Sequence, residues 1–208
     1  EKLAIPAVVH VPRLVEIEPH EWSAGYIGAP KPSQRPAPLS LADGPDALCR
    51  VGDYVVFVAG ALPGEKVRVR VTNAGRKFGR AHLLRIERVS PDRVGPKCPH
   101  FLECGGCHFQ HLAYAKQLEH KTARLTKALS HTLRRTSLPV LPMAAPDSPW
   151  GQRNKIALQI VGRAGEADPG FFRMRSRDVV PIRECPVQDP AGTALAFRAH
   201  ADDAFVAE

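Results

Sequence analysis

Between Tyr54 and Val89 apolar and polar positions trade places in short runs. "YVVFVAG" reads as a buried strand, "KVRVRV" (Lys66–Val71) alternates strictly, and "AHLLRIERV" (Ala81–Val89) supplies another strand. In the middle run Val67, Val69 and Val71 share one face, and Lys66, Arg68 and Arg70 the other. "ALPG" (Ala61–Gly64) sets Pro before Gly, the chemistry of a type II turn, and "NAGRKFGR" reads as a basic loop. Residues 11–20 alternate loosely enough for a first strand. Gly28–Pro45 is so rich in proline that neither a helix nor a central strand fits, and a loop is expected. Short strands with basic outer faces and Gly-bearing turns predict a small closed β-barrel of the OB type.

The period changes after residue 113. "YAKQLEHKTARLTKALSHTLRR" (Tyr114–Arg135) spaces Leu118, Leu125, Leu129 and Leu133 by seven, four and four, which predicts a helix with one apolar face. Ser137–Pro149 is a proline-rich connector. "NKIALQIV" and "DVVPI" are strand-like, with "GFFRMRSR" (Gly170–Arg177) between them. A last helix opens at Asp189 as N-cap with Pro190 at its first turn. The pattern predicts a mainly β, α+β chain: an OB-like barrel over 1–93, with its proline-rich loop at 28–45, then an α/β central domain over 94–208. The chain starts at Glu1 and stops a few turns into the last helix, so the second domain is expected to be truncated at its C-terminus.

Charge narrows the partners. The chain of 208 residues carries a net +8, but Glu65–Arg135 alone holds 16 Lys and Arg against 5 Asp and Glu, a net of +11 that leaves −3 for the rest. Basic residues concentrated on strands, loop and helix are the footprint of a polyanion binder, and nucleic acid is the expected partner. Nothing resembles a signal peptide or a membrane span, so a cytoplasmic monomer is expected.

Five cysteines, an odd number without a secretion signal, argue for metal ligation rather than disulfides. Three fall in "CPHFLECGGCHFQH": Cys98, Cys104 and Cys107, spaced C-x5-C-x2-C. Gly105 and Gly106 let the backbone fold tightly enough to turn Cys104 and Cys107 toward one centre. The fourth thiolate is either Cys49 or Cys185, whose Cys-Pro step repeats that of Cys98. Four thiolates indicate structural zinc or an iron–sulfur cluster, and spacing alone favours zinc. His100, His108 and His111 rank as bystanders.

"VVFVAGALPGEKVRVRV", "SPDRVGPKCPHFLECGGCHFQHLAYAKQLEHK", "PWGQRNKIALQI" and "GFFRMRSRDVVPIRECPV" together resemble the RNA uracil-5-methyltransferases, which modify uridines of 23S ribosomal RNA and of tRNA. The resemblance runs from about Leu14 to Glu208. It implies that the barrel is a TRAM domain and that Cys98, Cys104, Cys107 and Cys185 hold a [4Fe–4S] cluster, which displaces zinc and leaves Cys49 an ordinary barrel residue. It implies RNA as partner, ribosomal RNA before tRNA. By charge and placement, Lys66, Arg68, Arg70, Arg76, Lys77 and Arg80 on the barrel and Arg153, Lys155, Arg173, Arg175 and Arg177 beyond it are the candidate phosphate contacts. Phe78, Phe171 and Phe172 are candidates to stack unpaired bases. Gln152 departs from the family, which usually has an aromatic there, and the proline-rich stretch looks like an insertion.

The family's chemistry resides in a Rossmann-like domain that binds S-adenosylmethionine. No G-x-G occurs in the chain, and no late motif supplies the nucleophilic cysteine or the base. The expectation is therefore that this domain is absent, that the chain is the RNA-recognition half of the enzyme, inactive alone, and that S-adenosylmethionine belongs only to the full-length enzyme. Two other classes compete: a stand-alone RNA-binding module without catalysis, and a zinc-bearing nucleic-acid-binding protein.

Overall fold

The computed structural model describes residues 5–10, 14–16, 40–42, 44–51, 54–162 and 168–201. They divide into two compact units, 1–93 and 94–208.

The first unit is one seven-stranded sheet: β1 (Ile5–His10), β2 (Leu14–Glu16), β3 (Ser40–Leu41), β4 (Asp46–Val51), β5 (Tyr54–Ala59), β6 (Lys66–Ala74) and β7 (Phe78–Arg88). Their order is β2-β1-β6-β7-β5-β4-β3. Pairing is antiparallel except between β5 and β7. The sheet curls until β2 lies against β4. Register shifts at Lys66/Val67, Arg68/Val69 and Val71/Asn73 supply the extra twist that the curl needs.

Alternation places the core as expected. Val67 and Val69 are fully buried with Val56, Val58, Ala47 and Cys49, while Arg68 points outward. The core residues are small, so a narrow, strongly curved sheet can close over them. Glycine at 64, with φ +88°, completes the turn before β6. The expected basic loop is instead a tight hairpin: β6 and β7 stay paired as far as Ala74 and Gly79, and the Gly75 N–H bonds the Phe78 carbonyl at 2.9 Å. Ser40–Leu41, within the expected proline-rich loop, forms a short strand at the sheet edge, where proline neighbours are tolerated. Of the expected strand over 11–20, only 14–16 lies within the described residues; most of the proline-rich stretch lies outside them.

The second unit holds α1 (Tyr114–Leu133), a sheet of β8 (Gln159–Val161), β9 (Asp168–Phe172) and β10 (Val179–Pro181) in the order β10-β9-β8, and α2 (Pro190–Ala201). The expected α/β character is corrected here. Both strand pairings of this sheet are antiparallel; β9 and β10 are joined by six residues, too few for the helical crossover that parallel strands require. None of the residues of α1 is buried, and Leu125 and Leu133 of its apolar face are exposed. The proline-rich connector runs back along it, with the Met143 N–H on Thr122 Oγ1 at 3.1 Å and Tyr114 Oη on the Pro146 carbonyl at 3.2 Å. Asp189 caps α2, its Oδ1 accepting the N–H groups of Ala191 and Gly192 at 3.0 Å each. No helix among the described residues is long and apolar enough to cross a membrane.

Candidate functional site

The segment from Cys98 to His111 has little regular structure, and its backbone bonds explain its shape. The Phe101 N–H bonds the Cys98 carbonyl and the Cys104 N–H the His100 carbonyl, making two consecutive turns. The loop then fastens to the end of β9: the Gly105 N–H bonds the Phe172 carbonyl and the Met174 N–H the Glu103 carbonyl, both at 2.9 Å. A Cβ on Gly105 would stand 3.0 Å from the Phe172 oxygen, so a side chain here would press loop and strand apart by a few tenths of an ångström. Cys185 arrives from the turn after β10, where the Gln188 N–H closes onto the Cys185 carbonyl at 3.1 Å. Residues 151–153 run beside this turn and pair with Pro186, Val187 and Asp189.

These two segments, about eighty residues apart in sequence, bring Cys98, Cys104, Cys107 and Cys185 to the wall of one cavity of about 70 Å³. Phe101, Phe171, Ile182 and Val187 supply much of the rest of the lining. Burial pushes the Cys98 and Cys104 thiols above their ordinary range, and the neighbouring cysteines push them further in the same direction. Amide donors oppose this: His100 N–H toward Cys98, and Gly106 N–H at 3.4 Å from Cys104 Sγ. The sulfurs are near enough to feel one another's charge. Yet no three or more His, Cys, Asp or Glu side chains among the described residues form a group that could hold a metal ion. Cys49 belongs elsewhere, fully buried on β4 in the sheet core, its thiol pushed up to about 12 by burial.

The sequence did not single out the polar lining. Gln110 and Gln188 are both buried and both line the cavity. Each follows a cysteine by three residues, a repeated C-x2-Q that was visible in the chain. Gln110 Oε1 accepts the Cys98 N–H at 3.1 Å. Arg153, expected as a phosphate contact, also lines the cavity and lowers the Cys104 thiol. An open groove of about 770 Å³ shares Glu184, Cys185 and Gln188 with the cavity. There the Lys97 ammonium lies 5.3 Å from the Trp150 ring centre.

The expected RNA contacts divide. Lys66 and Arg68 on β6 converge with Arg85 of β7 on Glu87, at 3.4, 3.6 and 3.3 Å. Desolvation works against it, but hydrogen bonds and charge from Arg85 and Lys66 hold the Glu87 carboxyl below its usual range. Arg70 lies in register between Pro6 and His82. Arg76 and Lys77 are exposed at the β6–β7 hairpin tip. Arg80 is committed within the fold, 2.8 Å from Asp46 and over the Phe57 ring at 5.4 Å. Arg173 pairs with Glu103 at 2.7 Å, pinning the cysteine loop, while Lys155, Arg175 and Arg177 are exposed. Phe78 and Phe172 are exposed, but Phe171 faces the cysteine cavity.

Residues 41–84 match the TRAM domain model. An uncharacterized RNA methyltransferase of Halalkalibacterium halodurans is 40% identical over 140 residues, which is 66% of this chain and 30% of that protein. One from Enterococcus faecalis is 38% identical over 150 residues, 68% and 31% of the two chains. Among solved structures, the Pyrococcus abyssi tRNA (uracil-54, C5)-methyltransferase in complex with S-adenosyl-L-homocysteine matches with a TM-score of 0.50 and 25% identity, over 80% of this chain and 36% of that one.

The chain thus resembles RNA methyltransferases and carries a match to the TRAM domain. The likeness to the solved tRNA (uracil-54, C5)-methyltransferase supports the resemblance to the RNA uracil-5-methyltransferases read from the sequence. The chain spans about a third of the length of the relatives it matches. That fact overturns the expected absence of a Rossmann-like methyltransferase domain. The lack of a G-x-G describes only the stretch in hand, whereas the relatives are methyltransferases and the solved one is a complex with S-adenosyl-L-homocysteine.

Proposed function

We propose that this chain is the RNA-recognition and iron–sulfur portion of an S-adenosylmethionine-dependent RNA (uracil-5-)-methyltransferase acting on 23S ribosomal RNA. The observation that carries the reading is the single cavity bounded by Cys98, Cys104, Cys107 and Cys185. Four thiolates at one cavity can hold a structural zinc or an iron–sulfur cluster, and the resemblance to the RNA uracil-5-methyltransferases favours the cluster. Burial with opposing amide donors suits thiolate ligands to iron, because N–H groups offset the charge that the apolar wall cannot solvate. Once bound, a [4Fe–4S] cluster with four thiolate ligands supplies a rigid tie between the Cys98–Cys107 loop and the Cys185 turn, and it has no open iron site.

The chain's own residues would then perform recognition. Arg76 and Lys77 at the hairpin tip, with Lys66 and Arg68 on the adjoining strand, present cations to phosphates, while Phe78 offers an exposed ring beside them. Lys155, Arg175 and Arg177 do the same from the second unit. The solved relative acts on tRNA, so the test must compare both RNAs.

The protein, purified without oxygen, should contain iron and sulfide in about equal amounts and little zinc. It should bind an unpaired-uridine segment of 23S ribosomal RNA more tightly than tRNA, and the whole protein should transfer methyl groups from S-adenosylmethionine to carbon 5 of uridine in that RNA. Stoichiometric zinc without sulfide would overturn the cluster. Preference for tRNA would overturn the substrate.

A further inference from the structure

Two glutamines line the cysteine cavity, and only one has its side-chain oxygen engaged. Gln110 Oε1 is held by the Cys98 N–H at 3.1 Å, so its carboxamide cannot turn without breaking that bond. Gln188 is only 4% exposed, yet its Oε1 has no hydrogen-bond partner. Its backbone is fixed beside the cavity: the N–H bonds the Cys185 carbonyl at 3.1 Å, and the residue pairs with Arg153 in an isolated bridge. The attachment is rigid while the amide is not pinned. A buried polar group in this position requires an explanation, and an unpaired acceptor beside four cysteines is the wrong polarity for thiolates. A half-turn about the last side-chain bond exchanges the oxygen for an NH2.

Resting on the four-thiolate reading above, we propose that Gln188 is a positioning residue for the sulfur centre: its carboxamide N–H donates to a thiolate or sulfide in the cavity. The C-x2-Q spacing explains how it arrives there, since the turn closing Gln188 N–H onto Cys185 carries the side chain back toward its own ligand. A donor on sulfur disperses negative charge in a wall that otherwise offers phenylalanine, isoleucine and valine. It therefore favours the reduced, more negative state and strengthens ligand retention.

The test uses the iron-loaded protein. Gln188→Leu keeps the volume and removes the donor. Its midpoint potential, followed by visible absorbance in a redox titration, should fall below that of the unmutated protein, and iron loss to a chelator should quicken about tenfold or more. Gln188→Glu keeps the shape but replaces the donor with acceptors, and should move both readouts in the same direction even if the leucine variant fails to fold. Gln188→His, which restores an N–H, should recover part of both. Unchanged potential and iron loss in a folded, loaded Leu or Glu variant would overturn this inference and leave the cluster reading intact. An unmutated protein that holds zinc, or no sulfide, would overturn both.

Discussion

Arg93 donates from Nε and Nη2 to both carboxylate oxygens of Glu65, whose side chain is completely buried. Glu65 Oε2 also accepts the Leu62 N–H at 2.9 Å and Oε1 the Ser90 N–H at 3.4 Å, while the same Arg93 Nη2 reaches the Gly60 carbonyl at 2.7 Å. The pair ties the turn after β5 to the last residue of the first unit. Removing one partner leaves a charge in the core without a counterion. Arg93→Met should therefore destabilise the first unit by about 3–5 kcal/mol, read as a lower urea midpoint. Arg93→Met with Glu65→Leu should cost clearly less than Arg93→Met alone, because no charge is then stranded. An equal or larger loss in the double variant would show that the lost contacts, not the orphaned carboxylate, set the cost.

Cys49 provides a pH dependence of known sign. Its thiol is raised from the ordinary 9.0 to about 12 by burial. Below pH 9 both folded and unfolded chains keep it protonated, and its contribution to stability is constant. From pH 9 to about 12 the unfolded chain ionises and the folded one does not, so stability falls by about 1.4 kcal/mol per pH unit. The difference in unfolding free energy between the unmutated protein and Cys49→Ala should be flat below pH 9 and shrink steeply above it. For the same reason Cys49 should resist iodoacetamide at pH 8 in the folded protein and react on unfolding. A pH-independent difference would remove Cys49 from the titrating set.

The β-rich unit was legible because its elements bury one face each. In Lys66–Val71 period-two alternation fixed which residues turn inward, and Val67 and Val69 obey it. The hairpin at 75–78 was read as a loop because Gly75 and the Arg76-Lys77 pair carry turn chemistry, while the pairing that continues beyond them depends on Tyr54, whose Oη bonds the Gly75 carbonyl at 3.2 Å. Such a partner, 21 residues away, leaves no mark on local periodicity. In the second unit the cysteines announced themselves by type and spacing. The cavity's glutamines did not, since only the three-dimensional closure brings Gln110 and Gln188 to the lining that the four cysteines share.

The Cys185 turn and the Cys98–Cys107 loop come from opposite ends of the second unit's sequence, so a cluster held between them, as proposed above, should stabilise that unit as a whole. Cys185→Ser should release iron and lower the melting temperature of the second unit, while Cys49→Ala should leave iron content unchanged. Gly105→Ala tests the geometry without touching a ligand. Its added methyl meets the Phe172 carbonyl at 3.0 Å, so loop or strand must give by a few tenths of an ångström, and iron retention should weaken. Full iron content in Cys185→Ser would remove this residue from the ligand set.

Glu87 sits among Lys66, Arg68 and Arg85 on the outer face of β6 and β7. If that face grips phosphates, the carboxylate competes with RNA for the same cations. Glu87→Gln should then tighten RNA binding and steepen its salt dependence, because cations released from an internal partner become available to displace counterions. Replacing Arg76 or Lys77 by Gln, at the exposed hairpin tip, should weaken binding about equally for different sequences and reduce the salt slope by about one per charge. Arg80→Gln should behave differently from both. Its guanidinium is committed to Asp46 at 2.8 Å, so that variant should lose stability first and RNA affinity only through it. Fluorescence anisotropy across a salt series, with urea unfolding alongside, separates these outcomes. A Glu87→Gln protein that binds RNA with unchanged affinity and slope would place the RNA on another face of the sheet.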